Sequence, residues 1–213
     1  MSRGKRTVQL DIKHANDKLK LLNLLRTADV FIQSYRPGSL AAQGLSNHKL
    51  FELNPSLIIA SLSSYGPDGP WSQRRGFDSL VQTCSGLNVA DAEQRGLDEA
   101  ARVLPCQALD HGSGYMLATG IMAALYKRDI EGGSYEVKVS LAGTMQYLRS
   151  LGQEDGFDRR DFKGPDEVIG YLETRATSFG ELKAIKHSAE IEGLQVGWEH
   201  MPKTLGSDAP VWL

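Results

Sequence analysis

The sequence predicts an α/β domain built on a parallel sheet. Segments rich in β-branched and other apolar residues predict strands over 7–12, 29–35 and 57–65. The second segment stops at Arg36-Pro37-Gly38, a combination that ends strands. Helical patterns lie between these segments, so the order is strand, helix, strand, helix, strand. That order is the βαβ pattern of α/β proteins, whose crossover connections are right-handed.

The two helices between these strands follow from apolar spacing and from capping residues. A run of leucines after Asp17 gives a wide apolar helical face. Ser46 is placed to cap a short helix that runs to Leu53, where an Asn-Pro pair ends it. The third strand is apolar enough to lie in the interior of a parallel sheet.

The second half of the chain continues with alternating elements and then changes character. In order, the sequence predicts a helix over Phe77–Ser85, a charged loop over Asn88–Arg102, a helix from Asp110 to Arg128, a strand over Tyr135–Leu141, a helix over Ala142–Leu151, and short strands over Val168–Thr174 and Leu182–His187. The tail carries Trp198 and Trp212, which need a surface to bury against, either their own domain or a partner. We expect residues 1–151 to form one domain core and residues 152–213 to form a connector and a tail that returns to it.

Composition and charge exclude several classes of protein. The 213 residues are 41% hydrophobic and 23% charged, and 24 cationic against 26 anionic side chains give a net charge of −2. Nothing in this balance points to nucleic acid or to an anionic membrane. No apolar run approaches the ~20 residues of a membrane helix, and the N-terminus lacks the apolar region of a secretory signal. With two cysteines, a reduced, cytoplasmic protein is the simplest prediction; a mitochondrial or peroxisomal location stays open.

Common catalytic and cofactor motifs are absent from the sequence. The five histidines show neither an HxxxH nor an HExxH spacing, so we predict no metal site. GxSxG, Walker and GxGxxG sequences are also missing, which argues against a serine hydrolase, a P-loop enzyme and an NAD enzyme. His111 follows Asp110 directly, but neighbouring helical residues point about 100° apart and rarely share a proton. We therefore expect His111 to be a solvent-facing residue of the first helical turn.

Basic residues gather at predicted strand ends and helix starts. They occur in "RGKR" at 3–6, at Lys13, in "YRPG" at 35–38 and in "RRGFD" at 74–78. In α/β sheets, ligands bind outside the carboxyl ends of the strands. Arginine side chains and helix N-termini at such a place suit an anionic ligand with several phosphates.

Asp110 has two interpretations at this stage. Aspartate is among the best N-cap residues, so it can simply cap the helix that follows. A carboxylate at a helix start is also stabilised in its ionised form by the helix dipole, and carboxylates serve as nucleophiles in covalent catalysis. The two roles are compatible in one residue.

Four segments give the chain a family resemblance. They are "RGKRTVQLDIK", "ADVFIQSYRPG", "LNPSLIIASLSSYGPDGPWSQRRGFD" and "ALDHGSGYMLATGIMAALYKR". In their order and spacing, from about residue 3 to residue 145, they resemble the class III coenzyme A (CoA) transferases. This CaiB/BaiF family includes formyl-CoA transferase and the α-methylacyl-CoA racemases.

The resemblance implies a Rossmann-like α/β large domain with a parallel sheet, plus a small domain, in a dimer of interlinked chains. It implies that Asp110 is the catalytic nucleophile, which attacks an acyl-CoA thioester and forms a mixed anhydride and then an aspartyl-CoA thioester. The implied substrates are acyl-CoA and a carboxylic acid, without a metal, and the chain is expected to be a homodimer or a subunit of a larger assembly. The implied CoA contacts are Leu10, Lys13, Ser34, Tyr35, Arg36, Arg75, Gly76, Phe77 and Asp78.

Two departures from the family pattern shape the functional hypotheses. Family chains are longer, so we expect a truncated member that lacks the first βα unit and most of the small domain. Racemases carry a histidine where this chain has Phe77, and proton exchange on both faces of a carbon needs two bases. The first hypothesis is therefore a CoA transferase, the second a catalytically inactive remnant or partner subunit, and the third a racemase.

Overall fold

A computed structural model describes residues 3–98, 103–152 and 163–212 and has a mixed α/β architecture. Contacts divide the chain into two units. We call Leu22–Glu154 the sheet unit, and Met1–Leu21 with Asp155–Leu213 the terminal unit. The domain boundary expected at residue 151 stays a prediction.

The sheet unit holds three strands and most of the helices. The strands are β1 (Val30–Gln33), β2 (Ile58–Ser63) and β3 (Tyr135–Ser140). The helices are α1 (Ala15–Leu25, which begins in the terminal unit), α2 (Ser39–Ala42), α3 (Asn47–Leu53), α4 (Asp78–Cys84), α5 (Leu87–Gln94), α6 (Ala108–Glu131) and α7 (Leu141–Ser150).

The three strands form the expected parallel sheet, in the order β1-β2-β3. Val30 pairs with Ile58, and Ile58 pairs with Tyr135, so all three strands begin at one edge of the sheet. Their carboxyl ends therefore meet at the opposite edge. The parallel α/β fold class is confirmed, and the helices over Asn47–Leu53 and Asp78–Cys84 agree with the predictions within one or two residues.

The core lies around the central strand and beneath the carboxyl edge of the sheet. Leu57, Ile58, Ile59 and Ala60 are fully buried or nearly so, which explains the continuous apolar run of this strand. A second cluster comprises Val81, Leu109 and Leu141, one residue each from α4, α6 and α7. Full burial of such side chains contributes about 1.5–3 kcal/mol each. This cluster fixes the starts of α6 and α7 near the end of β2.

Helix α6 approaches β3 so closely that one position requires glycine. A Cβ atom built on Gly120 would lie 2.6 Å from Cγ1 of Val137. Gly114 lies in the same helix, but a Cβ atom there would meet nothing within 4 Å. The two glycines therefore form a matched pair.

Gly120→Ala is expected to lower the free energy of unfolding by about 1–3 kcal/mol, because an extra methyl group in a packed interior forces neighbours apart. Gly114→Ala is expected to raise it by roughly 0.5–1 kcal/mol, the ordinary helix preference of alanine over glycine. Chemical denaturation of both variants measures the difference. Equal stability of the two variants would contradict the close approach of α6 to β3.

The terminal unit is organised around an antiparallel hairpin of β4 (Leu172–Thr177) and β5 (Gly180–Ile185). A 3₁₀ helix over Pro165–Tyr171 occupies the first part of the predicted strand Val168–Thr174, so that strand begins later than expected. The ring of Trp198 lies against Gly4 and 5.6 Å from the ring of His187, centroid to centroid. Trp198 therefore folds back onto its own unit, whereas Trp212 is 60% exposed.

The strand predicted over residues 7–12 is wrong. This stretch forms no β-ladder with the described residues, and Val8 on its alternating apolar face is 38% exposed. The backbone of Thr7 binds the tail instead, because its N–H donates to Oδ2 of Asp208 at 2.7 Å and its carbonyl accepts the N–H of Asp208. Alternation describes the segment alone, and it could not show that no strand partner is present among the described residues.

The loop predicted over Asn88–Arg102 is also wrong in its first half, where α5 spans Leu87–Gln94. Gly86, with φ +74°, turns the chain out of α4. Asn88 and Ala92 are spaced i, i+4 and form the buried face of α5, while Asp91 and Arg95 form an ion pair of 3.1 Å at the same spacing. Residues 99–102 lie outside the described part of the chain.

None of the helices in the described ranges is long and apolar enough to cross a membrane.

Candidate active site

A cleft of about 300 Å³ lies at the carboxyl edge of the parallel sheet. The segments after β1 and at the end of β2 form two of its walls, and the loop before α4 forms the third. Asp110 and Leu141 complete it from the starts of α6 and α7. Its lining residues are Ser34, Tyr35, Arg36, Pro37, Leu62, Ser63, Ser64, Ser72, Arg74, Arg75, Gly76, Phe77, Asp110 and Leu141.

The cleft brings together most of the residues that the resemblance implied. Those that line it are Ser34, Tyr35, Arg36, Arg75, Gly76, Phe77 and Asp110. Asp78 is not in the lining and is 2% exposed. Leu10 and Lys13 belong to the terminal unit. The ligand roles of all these residues stay predictions.

The side chain of Gln33 shapes the turn after β1. Its Nε2 donates to Oγ of Ser61 at 2.8 Å, and its Oε1 accepts the N–H of Tyr35 at 2.9 Å. The carbonyl of Arg36 accepts from the N–H and hydroxyl of Ser39 at the start of α2. The chain therefore leaves the sheet in a fixed turn, with Tyr35 and Arg36 exposed at the cleft.

Gly76 fixes the loop before α4 against the end of β2. The hydroxyl of Ser64 donates to the carbonyl of Gly76 at 2.9 Å. A Cβ atom at position 76 would lie 2.6 Å from Cβ of Ser64, so the contact requires glycine. This contact holds the neighbouring Arg75 and Phe77 at the mouth of the cleft, where both are exposed.

Arginine side chains make the cleft electropositive. Arg36 and Arg75 are exposed, and neither has an ion-pair partner within residues 3–98, 103–152 and 163–212. Arg74 also lines the cleft, and its guanidinium lies 5.1 Å from the centroid of the Trp71 ring. Unpaired guanidinium groups at the carboxyl edge of a parallel sheet suit the binding of phosphate groups.

Sequence reasoning missed several lining residues, among them Ser63, Ser64 and Leu141. The signal was available, since Ser63 and Ser64 follow the buried part of the third strand, and its carboxyl end was expected at the ligand edge. Arg74 was recognised as part of the basic "RRGFD" segment but was not chosen as a ligand contact.

Asp110 does not cap its helix, which corrects the simpler of its two interpretations. The N-cap residue of α6 is Gln107, and Asp110 lies in the first turn after it. The N–H of Asp110 donates to Oδ2 of Asp78 at 2.9 Å, so the cap comes from α4. His111 is exposed, as expected for a residue of the first turn that faces solvent.

The surroundings of Asp110 raise the pKa of its carboxyl group. Partial burial is the larger cause, and the nearby negative charge of Asp78 adds to it, while His111 lowers the same pKa. A carboxylate with a raised pKa holds its negative charge less stably, so it is a stronger base and a stronger nucleophile than an ordinary carboxylate.

The backbone immediately before α6 is strained. Cys106 has φ +59° and Gln107 has φ +53°, the left-handed region that residues other than glycine rarely occupy. Such conformations cost about 1–3 kcal/mol each and persist where the surrounding structure holds them. Two consecutive strained residues therefore lead directly into the turn that carries Asp110.

Comparison with known proteins gives relatives of one kind. The chain is 34% identical over 140 residues to the probable fatty acyl-CoA transferase Rv3272 of Mycobacterium tuberculosis, a match that covers 66% of this chain and 35% of the relative. It is 33% identical over 150 residues to the acetyl-CoA:oxalate CoA-transferase of Acetobacter aceti, over 70% of this chain and 38% of the relative.

Solved structures agree with these relatives. A crystal structure of Rv3272 from M. tuberculosis superposes with a TM-score of 0.64 at 32% identity, over 70% of this chain and 41% of that chain. A CaiB/BaiF family protein from Brucella suis superposes with a TM-score of 0.62 at 25% identity, over 84% of this chain and 48% of that chain.

The matches cover much of this chain but a smaller share of its relatives. It spans only 35% and 38% of the length of the two curated relatives. Residues 1–153 match the family described as CoA-transferase family III. With the parallel α/β fold and these relatives, this match shows that the chain belongs to CoA-transferase family III.

Proposed function

We propose that this chain transfers CoA between an acyl-CoA thioester and a carboxylic acid, with Asp110 as the covalent nucleophile. The observation that carries the proposal is the cleft itself, which is lined by the carboxylate of Asp110 and by arginines that have no ion-pair partner among the described residues. The arginines suit the phosphates of CoA, and the carboxylate suits attack on the thioester. Family membership supports the same reaction class.

The proposed reaction is a sequence of acyl substitutions at Asp110. A carboxylate oxygen of Asp110 attacks the thioester carbonyl, and the carbon–sulfur bond breaks. CoA departs as the thiolate, and the acyl group remains on Asp110 as a mixed anhydride. The thiolate then attacks the aspartyl carbonyl and releases the donor carboxylate, which leaves an aspartyl-CoA thioester. The acceptor carboxylate attacks this thioester, and the thiolate returns to the acceptor's acyl carbon, which frees Asp110. No step needs a net proton transfer.

The names of the relatives indicate the class of substrate. Relatives named for acetyl-CoA:oxalate and formyl-CoA:oxalate transfer act on small carboxylates, while Rv3272 is named a probable fatty acyl-CoA transferase. We therefore propose an acyl-CoA donor and a carboxylic acid acceptor for this chain. A transfer assay with a panel of acyl-CoA donors and acids, with CoA products separated by chromatography, tests the proposal. Failure of every donor–acceptor pair to exchange CoA would contradict it.

Transfer is expected to fall in acid at a higher pH than an ordinary aspartate would give. Asp110 must be ionised to attack, and its pKa is raised above the ordinary value of 3.8. As the pH falls through that raised pKa, the ionised fraction and therefore kcat/KM decline. The pH dependence of kcat/KM measures this decline at low pH, which we call the acid limb. A rate that stays constant down to the range of an unperturbed aspartate would contradict the role of Asp110.

We also propose that the chain associates with a second copy. Four large apolar side chains form an exposed stripe along α6: Tyr115, Met122, Tyr126 and Ile130, each at least 62% exposed. Exposed large apolar side chains grouped on one face of a helix are typical of a surface that pairs with another protein. The resemblance, which implies a dimer, supports the same proposal.

Static light scattering at several micromolar concentrations is expected to give a mass above that of one chain. Met122→Glu is expected to reduce the mass, because it puts a charge into the stripe. Val89→Glu puts the same charge at an exposed apolar position of a different helix, α5, and serves as the control. A monomer in the parent protein at every concentration would contradict association.

A further inference from the structure

A buried carboxylate lies directly behind the nucleophile. Asp78 is 2% exposed and begins α4, and both of its oxygens accept hydrogen bonds. Oδ2 accepts the backbone N–H of Asp110 at 2.9 Å, and Oδ1 accepts Nε2 of Gln82. The carboxylate that was expected to contact CoA is therefore engaged with the protein's own backbone and core.

Gln82 extends this arrangement to the other end of the strained turn. Its side chain is fully buried, and its Oε1 accepts the N–H of Leu104 at 2.8 Å. One continuous buried network thus holds residue 104 and residue 110, on either side of Cys106 and Gln107. A turn in an unfavourable conformation needs such restraint to persist.

Asp78 also supplies the hydrogen-bond acceptor that the start of α6 lacks. The first N–H groups of a helix have no partner inside the helix, and a side chain usually accepts one of them. The N-cap residue of α6, Gln107, makes no such hydrogen bond from its own side chain. The carboxylate of Asp78 accepts this bond from a different helix, at the residue proposed as the nucleophile.

The direction of each hydrogen bond in this network is fixed. Leu104 and Asp110 each offer a backbone N–H, which is only a donor, so the two side chains between them must supply an acceptor at both ends. The oxygen of Gln82 must face Leu104, so its NH₂ group faces Asp78, which then accepts on both oxygens. An asparagine at position 78 has one acceptor too few, because its amide NH₂ would face the NH₂ of Gln82.

We propose that Asp78 is a positioning residue, whose buried carboxylate fixes the backbone of Asp110 for attack and does not bind CoA. This inference rests on the proposed role of Asp110 as the nucleophile. Asp78 acts through the backbone at position 110 and through its charge. That charge, with burial, raises the pKa of Asp110, opposed by His111, while Arg36, Arg74 and Arg75 line the same cleft.

Exchange of the two polar side chains tests the inference. Asp78→Asn is expected to lower kcat by roughly ten-fold to a hundred-fold, the loss that small misplacement of a reacting group causes, with little change in KM for acyl-CoA. The double variant Asp78→Asn/Gln82→Glu restores an acceptor at every required place. The carboxylate introduced at position 82 would accept from the N–H of Leu104 and from the amide NH₂ introduced at position 78. The amide oxygen at position 78 would then accept the N–H of Asp110. This variant is expected to recover most of kcat.

The acid limb of kcat/KM gives a second readout. In Asp78→Asn it is expected to move to lower pH, because the like charge next to Asp110 is gone, and in the double variant it is expected to lie between the two. The control is Asn54→Ala. Asn54 is also buried, and its side chain donates to the carbonyls of Leu25 and Ala28, away from the residues that line the cleft. Its loss destabilises the fold but should leave the acid limb unchanged.

Three outcomes would overturn the inference. They are a loss confined to KM for acyl-CoA, which would make Asp78 a coenzyme contact; no recovery in the double variant; and an acid limb that Asp78→Asn does not move.

A direct titration of the Asp110 carboxyl by carbon-13 NMR, with amide hydrogen exchange at Asp110, separates this inference from the proposed function. If the parent protein transfers no CoA, the proposed function fails. An unchanged titration midpoint in Asp78→Asn together with unchanged exchange in Asp78→Ala would then overturn the positioning role as well.

Discussion

Asp110→Asn is expected to lower the rate of CoA transfer by several orders of magnitude, because an amide oxygen is a far weaker nucleophile than a carboxylate oxygen. The shape of the side chain is conserved, so CoA binding should be preserved. Stability should not fall at neutral pH. Burial and the charge of Asp78 both disfavour the ionised form of Asp110, which is why its pKa is raised. Removing the charge relieves both effects, and no capping hydrogen bond from the Asp110 side chain is lost.

Steady-state kinetics and thermal unfolding of the same preparation check this result. Asp129→Asn is the matched control, since it makes the same change at an exposed position of the same helix, outside the lining of the cleft. It should leave transfer unchanged. Turnover in Asp110→Asn equal to that of the parent would refute a covalent role for this carboxylate.

Arg36→Ala and Arg75→Ala are expected to weaken CoA binding by about 1.5–3 kcal/mol each, the range for hydrogen bonds to charged groups. Both guanidinium groups are exposed at the cleft and unopposed by an ion-pair partner in the described residues. If they hold different phosphates, the two losses should add in the double variant. The losses should also shrink as salt is raised, because exposed charges are screened.

Isothermal calorimetry with CoA at two ionic strengths measures these losses. Arg26→Ala removes an exposed arginine that does not line the cleft, and it serves as the control. If Arg36→Ala and Arg75→Ala both bind CoA as tightly as the parent, the phosphates lie elsewhere.

The sheet was predictable because its strands carry their own signal. Continuous apolar residues over β2 and alternation over β3 match a central strand and a strand with one exposed face, which is what the structure has. Residues 7–12 alternate equally well, yet they form no strand, and Thr7 hydrogen-bonds to Asp208 of the tail. Alternation describes one segment alone, whereas strand pairing depends on distant residues.

Helix α5 shows the opposite error, because a regular helix was predicted to be a loop. Charge along Asn88–Arg102 suggested a loop, yet Asp91 and Arg95 are one helical turn apart and stabilise the helix through their ion pair. Spacing of opposite charges was therefore the informative signal, and the amount of charge was not.

The sequence predicted residues that line the candidate site, but it did not predict the buried residues that hold the backbone of Asp110. The basic segments that contain Arg36 and Arg75 were selected because ligands bind at the carboxyl ends of parallel strands and anions bind at helix N-termini. The resemblance then implied the individual CoA contacts and favoured catalysis for Asp110. The sequence does show Asp78 and Gln82 on one face of a helix, at i and i+4. It cannot show that backbone groups of Leu104 and Asp110 come to them, because that contact depends on how three helices pack around the buried cluster.

The most direct test of the account is the covalent state of Asp110 during turnover. The protein is incubated with an acyl-CoA, trapped with hydroxylamine, and analysed by intact mass and peptide mapping. We expect a hydroxamate at Asp110 in the parent protein and none at position 110 in Asp110→Asn, because both the anhydride and the aspartyl-CoA thioester react with hydroxylamine. A parent protein that transfers CoA while Asp110 remains unmodified, or that carries the modification on another residue, would contradict the account.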